Sequence, residues 1–217
     1  MLKHLRLVQC DSTQDELKRH FEVYSLVSTE AQIQGRGRGN HSWEHRPGAL
    51  AFSFSAPAHP QLTWQALEVA VSLAESIERL WGERVGLKWP NDIYHHGKKC
   101  GGILLQHQSP TMFIGVGLNL LPQTESPWGS VLSKAISWEA LMAHEFPAQL
   151  VNDYLATHPR PLNQLREAWN ARCVHLERSV TITDGTEITQ GLFQGLGPHG
   201  EAIVNGKSVF NGSLRWD

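Results

Sequence analysis

The sequence predicts an α+β fold: a mixed or antiparallel sheet with flanking helices, followed by a small β-barrel. Three observations carry this. Strand-like and helical patterns are interspersed over the first 172 residues. Two long apolar runs, "GGILLQHQ" (101–108) and "TMFIGVGLNL" (111–120), meet at a Ser109-Pro110 turn and read as a hairpin of buried strands. After Cys173 the chain becomes a train of short strands cut by Asp-Gly, Gly-Pro-His-Gly and Asn-Gly turns, spaced roughly 8 to 12 residues apart. A domain boundary is therefore expected near residue 173, with 1–172 ahead of it and a barrel over 173–217.

Taken in order, "LRLVQC" (5–10) reads as a strand. "DSTQDELKRHF" (11–21) reads as a helix, with Ser12 or Thr13 as N-cap and Asp15 and Glu16 in its first turn. "EVYSLVST" (22–29) alternates like a strand and leads into the loop "QGRGRGNHSW". "GALAFSFSA" (48–56) is a strand with Leu50, Phe52 and Phe54 on one face. The clearest helix is 63–82, where Leu67, Ala70, Val71, Ala74, Ile77 and Leu80 recur at helical spacing before Gly82. "VGLKW" (85–89) is a strand stopped by Pro90, and residues 135 to 172 read as helical.

Composition limits the function. Hydrophobic residues make up 41% of the 217 and charged residues 18%, too apolar for a disordered chain. A net charge of −2 offers no overall field for nucleic acid. No apolar run of about 18 residues exists, and the N-terminal stretch lacks a signal-peptide core, so no membrane association is expected. Cys10, Cys100 and Cys173 are far apart and the twelve histidines lack ligand spacing, which argues against disulfides and metal sites and for a cytoplasmic protein.

Three stretches carry chemistry. In the loop, Arg36 and Arg38 alternate with Gly35, Gly37 and Gly39; glycines let backbone amides approach an anion, and arginine forks match phosphate or carboxylate oxygens. The same pattern occurs in RNA-binding tails, but here it lies between strands and is followed by Trp43, which could stack on adenine or simply pack in the core. In "LKWPNDIYHHGKKCGGILLQ" (87–106), Lys88 and Asp92 bracket a turn where side chains project, or form an ordinary salt bridge. Lys98 and Lys99 then precede Gly101 and Gly102. In "GVGLNL" (115–120), two glycines interrupt an apolar strand, as they would where a ligand or backbone passes close, with Asn119 as a polar handle.

Together these stretches resemble the biotin–protein ligases. That family's order is an STN-like turn, a GRGR loop with a tryptophan, a KWPND turn, a K-x-GGIL strand and a GVGxN strand. The corresponding residues are Ser12-Thr13-Gln14, Gly35 to Arg38 with Trp43, Lys88 to Asp92, Lys99 to Leu104, and Gly115 to Asn119, in order over roughly residues 5 to 122. The resemblance implies a biotin/lipoate ligase-like catalytic domain with a C-terminal SH3-like barrel. It also implies two reactions with biotin and MgATP as substrates: formation of biotinyl-5′-AMP, then transfer of biotin to a lysine of a biotin carboxyl carrier protein of acetyl-CoA carboxylase. By this resemblance Ser12, Thr13, Gln14, Gln32, Arg36, Gly37, Arg38, Lys99 and Gly102 bind biotin. Gly35, Arg36, Arg38, Trp43, Lys88 and Asn119 bind ATP, Arg38, Lys88, Lys99 and Asp92 are catalytic, and no protein-held metal is expected. Asp92 is the candidate to orient or deprotonate the acceptor lysine, whose neutralisation at pH 7 costs roughly 4 to 5 kcal/mol.

The match has departures. Many members continue the loop as x-Gly-Arg-x-Trp, whereas Gly39-Asn40-His41-Ser42-Trp43 stands here, one cation poorer. The terminal Gly-Glu-Val-Ser-Leu-Arg pattern is replaced by "FNGSLR" (210–215), with Asn211 in the glutamate's place. The turn at residue 12 leaves no room ahead of it for the DNA-binding module of some relatives, so the enzyme-only form is expected, with a homodimer through the sheet as a possibility raised by the family. The rival readings are a lipoate or octanoate ligase of the same fold, a non-catalytic biotin or nucleotide sensor, and a nucleic-acid binder.

Overall fold

A computed structural model describes every residue except 1, 22, 24, 40, 124–125, 138–139, 141–144 and 217. Its centre is a seven-stranded mixed sheet of order β1-β2-β5-β9-β8-β7-β6. The strands are β1 (Lys3–Leu7), β2 (Ser25–Thr29), β5 (Ala49–Pro57), β6 (Gly86–Lys88), β7 (Asp92–His95), β8 (Lys98–Gln108) and β9 (Thr111–Asn119). Only the β1–β2 pair is parallel. The ribbon β3 (Gly35–Arg36) and β4 (Ser42–Trp43) stands apart from this sheet.

The pleat divides the sheet into two unlike faces. Leu26, Phe52, Phe54, Ile114, Val116 and Leu118 belong to the large core beneath α2 (Leu62–Trp81), α3 (Phe146–Thr157) and α4 (Leu162–Asn170). Val27 and Phe113, one residue out of phase, meet Leu17 of α1 (Thr13–Arg19) on the other face. Helix α1 starts as predicted, with the Ser12 hydroxyl accepting from the Asp15 amide at 3.4 Å. Helix α2 ends at Gly82 in the left-handed region, φ 69°.

Beyond Cys173 a five-stranded antiparallel sheet forms, in the order β13-β12-β11-β10-β14. It comprises β10 (Ser179–Asp184), β11 (Glu187–Leu196), β12 (Ala202–Val204), β13 (Lys207–Val209) and β14 (Ser213–Trp216), a strand set compatible with a small barrel. Val180, Ile182, Phe193 and Leu214 pack continuously with the large core, and Trp89 donates its indole N–H to the Gly200 carbonyl at 3.2 Å.

Several expectations need correction. The first strand stops at Leu7 and does not reach Cys10; Val8 is exposed, and Cys10 instead bridges Gln32. The strand expected over 22–29 is present at Ser25–Thr29, buried on both faces because α1 covers the second side; residues 22 and 24 lie outside the described residues. Residues Asp92–His95 form a strand that the pattern did not announce. The helical reading of 135–172 resolves into α3 and α4, with 138–139 and 141–144 outside the described residues. No described helix is long and apolar enough to cross a membrane.

A Cβ added at Gly82 would meet nothing within 4 Å, so its cost would be purely conformational. Gly82→Ala is therefore expected to lower stability by about 1 kcal/mol. Urea denaturation checks this: the midpoint should fall while the m-value stays constant.

Candidate active site

The cavity lies on the α1 face of the sheet, and its floor is made by small residues in register. Ala51, Gly117, Gly102 and Asp92 align across β5, β9, β8 and β7, and Ser53, Gly115 and Leu104 form the neighbouring row. The alternation of "GVGLN" thus buries Val116 and Leu118 against the helices and leaves the opposite face bare. Two side chains use part of that space: Gln14 lies over Gly115, and the Trp43 ring lies over Gly117. A Cβ at Gly117 would come within 2.5 Å of that ring. Gly102 differs, because a Cβ there would meet protein only at 3.7 Å. Packing does not require glycine at that position; open cavity lies above it. The cavity, open at its mouth, measures about 520 Å³, within the range of a small-molecule site.

One end is polar and neutral. The Thr13 amide donates to Gln32 Oε1 at 2.9 Å and the Thr13 hydroxyl donates to the same oxygen at 3.1 Å. With its proton committed there, the Thr13 hydroxyl accepts from Ser53 at 2.8 Å. Gln14 donates to the carbonyls of Leu104 (3.1 Å) and Phe113 (3.4 Å), so its amide ties α1 to both central strands.

The other end is cationic. Lys99 Nζ lies 2.6 Å from Asp92 Oδ1, and Lys88 Nζ lies 3.7 Å from Asp92 Oδ2. Lys88 reaches this position as the direct cross-strand partner of Asp92. Lys99 reaches it through a bulge: the β7–β8 register shifts after Ile93, leaving Cys100 unpaired and buried in the core. Strict alternation from Gly102 would send Lys99 to the core face; the extra residue returns it to the cavity. Burial pulls the Lys88 ammonium below the usual lysine range, opposed by Asp92 and reinforced by Lys99 and Arg215.

The glycine-arginine loop covers this end. Arg36 forks onto Asp15 in the first turn of α1, with N–O distances of 2.5 and 3.3 Å. Arg38 reaches across the mouth to Asn91 Oδ1 at 3.4 Å and to the Gly212 carbonyl at 3.3 Å. Gly37 and His41 close the intervening turn, with Gly39 at φ 62°; Asn40 lies outside the described residues.

The cavity wall therefore includes Ser12, Thr13, Gln14, Gln32, Arg36, Gly37, Arg38, Trp43, Lys88, Asp92, Lys99 and Gly102 from the sequence-derived set. Gly35 stands behind it, where a Cβ would strike the Trp43 carbonyl at 2.4 Å and disrupt the β3–β4 ribbon. Asn119 is not in that wall: it lines a separate small pocket with Arg46 and Gln123, and its buried Oδ1 has no partner among the described residues. Sequence reasoning missed Ser53 and the contribution of the C-terminal sheet through Thr183, Gly185 and Gly212 to Leu214. Alternation along β5 could have pointed to Ser53, which faces away from Phe52 and Phe54. No local signal could have brought residues of the last sheet to the loop.

The Biotin/lipoate A/B protein ligase family model matches residues 7–119. "Biotin--protein ligase 2" of Arabidopsis thaliana is 32% identical over 129 residues, covering 54% of this chain, and the chain spans only 39% of that protein. "Biotin--[acetyl-CoA-carboxylase] ligase" of Paracoccus denitrificans is 28% identical, with 92% of this chain and 93% of that protein covered. Among solved structures, biotin protein ligase from Aquifex aeolicus in complex with biotin and ATP superposes with a TM-score of 0.83 at 24% identity, over all of both chains, and so shares the fold. The matched segment holds the loop, both lysines and the glycine-floored strands, and the chain belongs to the biotin/lipoate A/B protein ligase family.

Proposed function

We propose that the protein is a cytoplasmic biotin–protein ligase, residues 1–172 binding biotin and ATP and residues 173–217 closing one wall of the site. The observation that carries this reading is a single cavity with paired neutral hydroxyl and amide groups at one end and four cations at the other. A fused ureido ring both donates and accepts hydrogen bonds, which Ser12, Thr13, Ser53 and Gln32 can answer. The apolar dithiolane of lipoate would offer nothing to the hydrogen-bonding capacity these groups have left beyond their mutual contacts. This favours biotin over lipoate or octanoate.

In the first step a biotin carboxylate oxygen attacks the α-phosphorus of ATP, and the bond to the β-phosphate oxygen breaks, releasing pyrophosphate. Two anions must approach each other, so neutralisation is the main demand. Lys99, Lys88, Arg36 and Arg38 supply it, and Asp92 keeps the two ammonium groups together until the phosphates arrive. Trp43 offers its ring to adenine. No group of three or more His, Cys, Asp or Glu among the described residues could hold a metal. In this reading magnesium would arrive with ATP and shield the phosphate charges, and Asn119, which lines a separate small pocket, would be the hard oxygen donor of this chain to hold it.

In the second step a carrier lysine amine attacks the acyl carbon, the acyl–phosphate bond breaks, AMP leaves and the amine loses its proton. Asp92 is the carboxylate placed to orient that amine once phosphate draws its lysine partners away. The loop must also exclude water from the mixed anhydride, and Arg38, tied to Asn91 and Gly212, is its anchor across the mouth.

Intact-mass spectrometry of a biotin carrier domain incubated with the protein, MgATP and biotin should show the mass of one biotin, dependent on ATP. A gain only when lipoate replaces biotin would overturn the assignment. Arg38→Gly is expected to release the adenylate and label lysines of a bystander protein such as albumin; unlabelled albumin would count against the anchoring role. Gly102→Ala should preserve or raise the melting temperature yet weaken biotin binding by about tenfold or more, measured by calorimetry, because its methyl enters ligand space.

A further inference from the structure

The last strand brings an aromatic ring to the cationic end of the cavity. Trp216 on β14 lies with its ring centroid 5.3 Å from Lys88 Nζ, and the Tyr94 ring flanks the same ammonium at 5.6 Å. The two rings are themselves 5.3 Å apart. Trp216 also stacks on His175, with centroids 5.6 Å apart and planes 28° from parallel. His175 is fully buried and packs edge-on to Trp169 and against Phe193, so the stack is anchored in the core.

The Lys88 side chain is only 14% exposed. The groups that act on its ammonium are Asp92 and Tyr94 on β7, Lys99 on β8, Arg215 and Trp216 on β14, and the His175 ring. Of these groups, Lys99 and Arg215 repel it, and the longer of the two Asp92 contacts, 3.7 Å, belongs to Lys88. Burial, followed by the charges of Lys88 and Arg178, pulls His175 down to about 3, so that ring adds no positive charge beside Lys88. A desolvated ammonium held by one long ion pair needs a second source of negative potential, and a ring face within about 6 Å supplies it.

We propose that Trp216 is a positioning residue for Lys88, holding its ammonium charged and aimed at the site where ATP phosphates bind. This rests on the ligase reading, and it makes the C-terminal sheet part of the adenylation machinery. Trp216 touches no substrate in this role; it acts through Lys88.

The test compares Trp216→Leu with Trp216→Phe in the full chain, with melting temperatures measured alongside. Competitive labelling of Lys88 by an amine-reactive reagent across pH, read by peptide mass spectrometry, reports its titration without requiring turnover. Loss of the ring face should move the labelling midpoint to lower pH in Trp216→Leu, and Trp216→Phe should lie close to the parent. In biotin-dependent ATP–pyrophosphate exchange, Trp216→Leu should raise KM for ATP about fivefold with a smaller change in kcat, and the alkaline limb should move in the same direction. An unchanged midpoint in Trp216→Leu, or equal shifts in Leu and Phe, would overturn the proposal, because bulk alone would then explain the effect. Absence of exchange in the parent with a shifted midpoint in Trp216→Leu would reject the ligase reading and leave the Trp216–Lys88 interaction standing.

Discussion

Asp92 holds two lysines within reach of one carboxylate, and much of the surrounding structure follows from that constraint. Two ammonium groups brought to one end of a half-buried cavity repel each other strongly, because effective dielectric there is lower than in water. Without a shared anion they would turn outward, and gathering them again would carry an entropic cost. The carboxylate keeps the cations assembled in the absence of ligand, with 2.6 Å to Lys99 and 3.7 Å to Lys88. Such a site is preorganised for an anion, which would meet two cations already gathered.

The backbone arrangement that satisfies this constraint is economical. Lys88 and Asp92 face each other across a tight hairpin, so their proximity follows from register alone. Lys99 needs the bulge at Cys100, and the buried thiol, pushed up to about 12 by burial, makes that residue a core anchor. The glycines next to it serve different ends. Gly101 lies against Leu118 and Ile93, where a Cβ would clash at 2.6 Å with the former, whereas Gly102 opens into the cavity. Adjacent identical residues thus answer one to packing and the other to ligand space.

Much of this was legible in the sequence. The helix over Leu62–Trp81, the hairpin at Ser109-Pro110 and the late β-rich segment announce themselves by period and turn chemistry. The cavity wall collects the loop arginines, Lys88, Asp92, Lys99 and the residues after Ser12, because the motifs sit at strand ends and helix starts that the fold brings together. Two features were not legible. Alternation assigns Lys99 to the wrong face, since a bulge is a one-residue defect with no composition of its own. The pairing of Arg36 with Asp15 joins a loop to a helix 21 residues away, and nothing in either stretch names the other.

The same limit explains why the C-terminal sheet was undervalued. Its strands read from sequence as a separate small barrel, and nothing in 173–217 other than the Asn211 departure pointed to the site. Two contacts join it to the site: the Gly212 carbonyl accepts from Arg38, and Trp216 faces Lys88. A carbonyl contact depends on backbone position, and Gly212 at φ 128° adopts a conformation few other residues tolerate, with a Cβ there lying 2.7 Å from Ile182. The strand that follows that carbonyl is fixed by Leu214, which is buried and paired to Ile182. One side of the cavity mouth is thereby set by the core of the C-terminal sheet. The loop's hold on the site thus inherits the stability of a region more than 170 residues away in sequence, Arg38 and Gly212 being 174 positions apart.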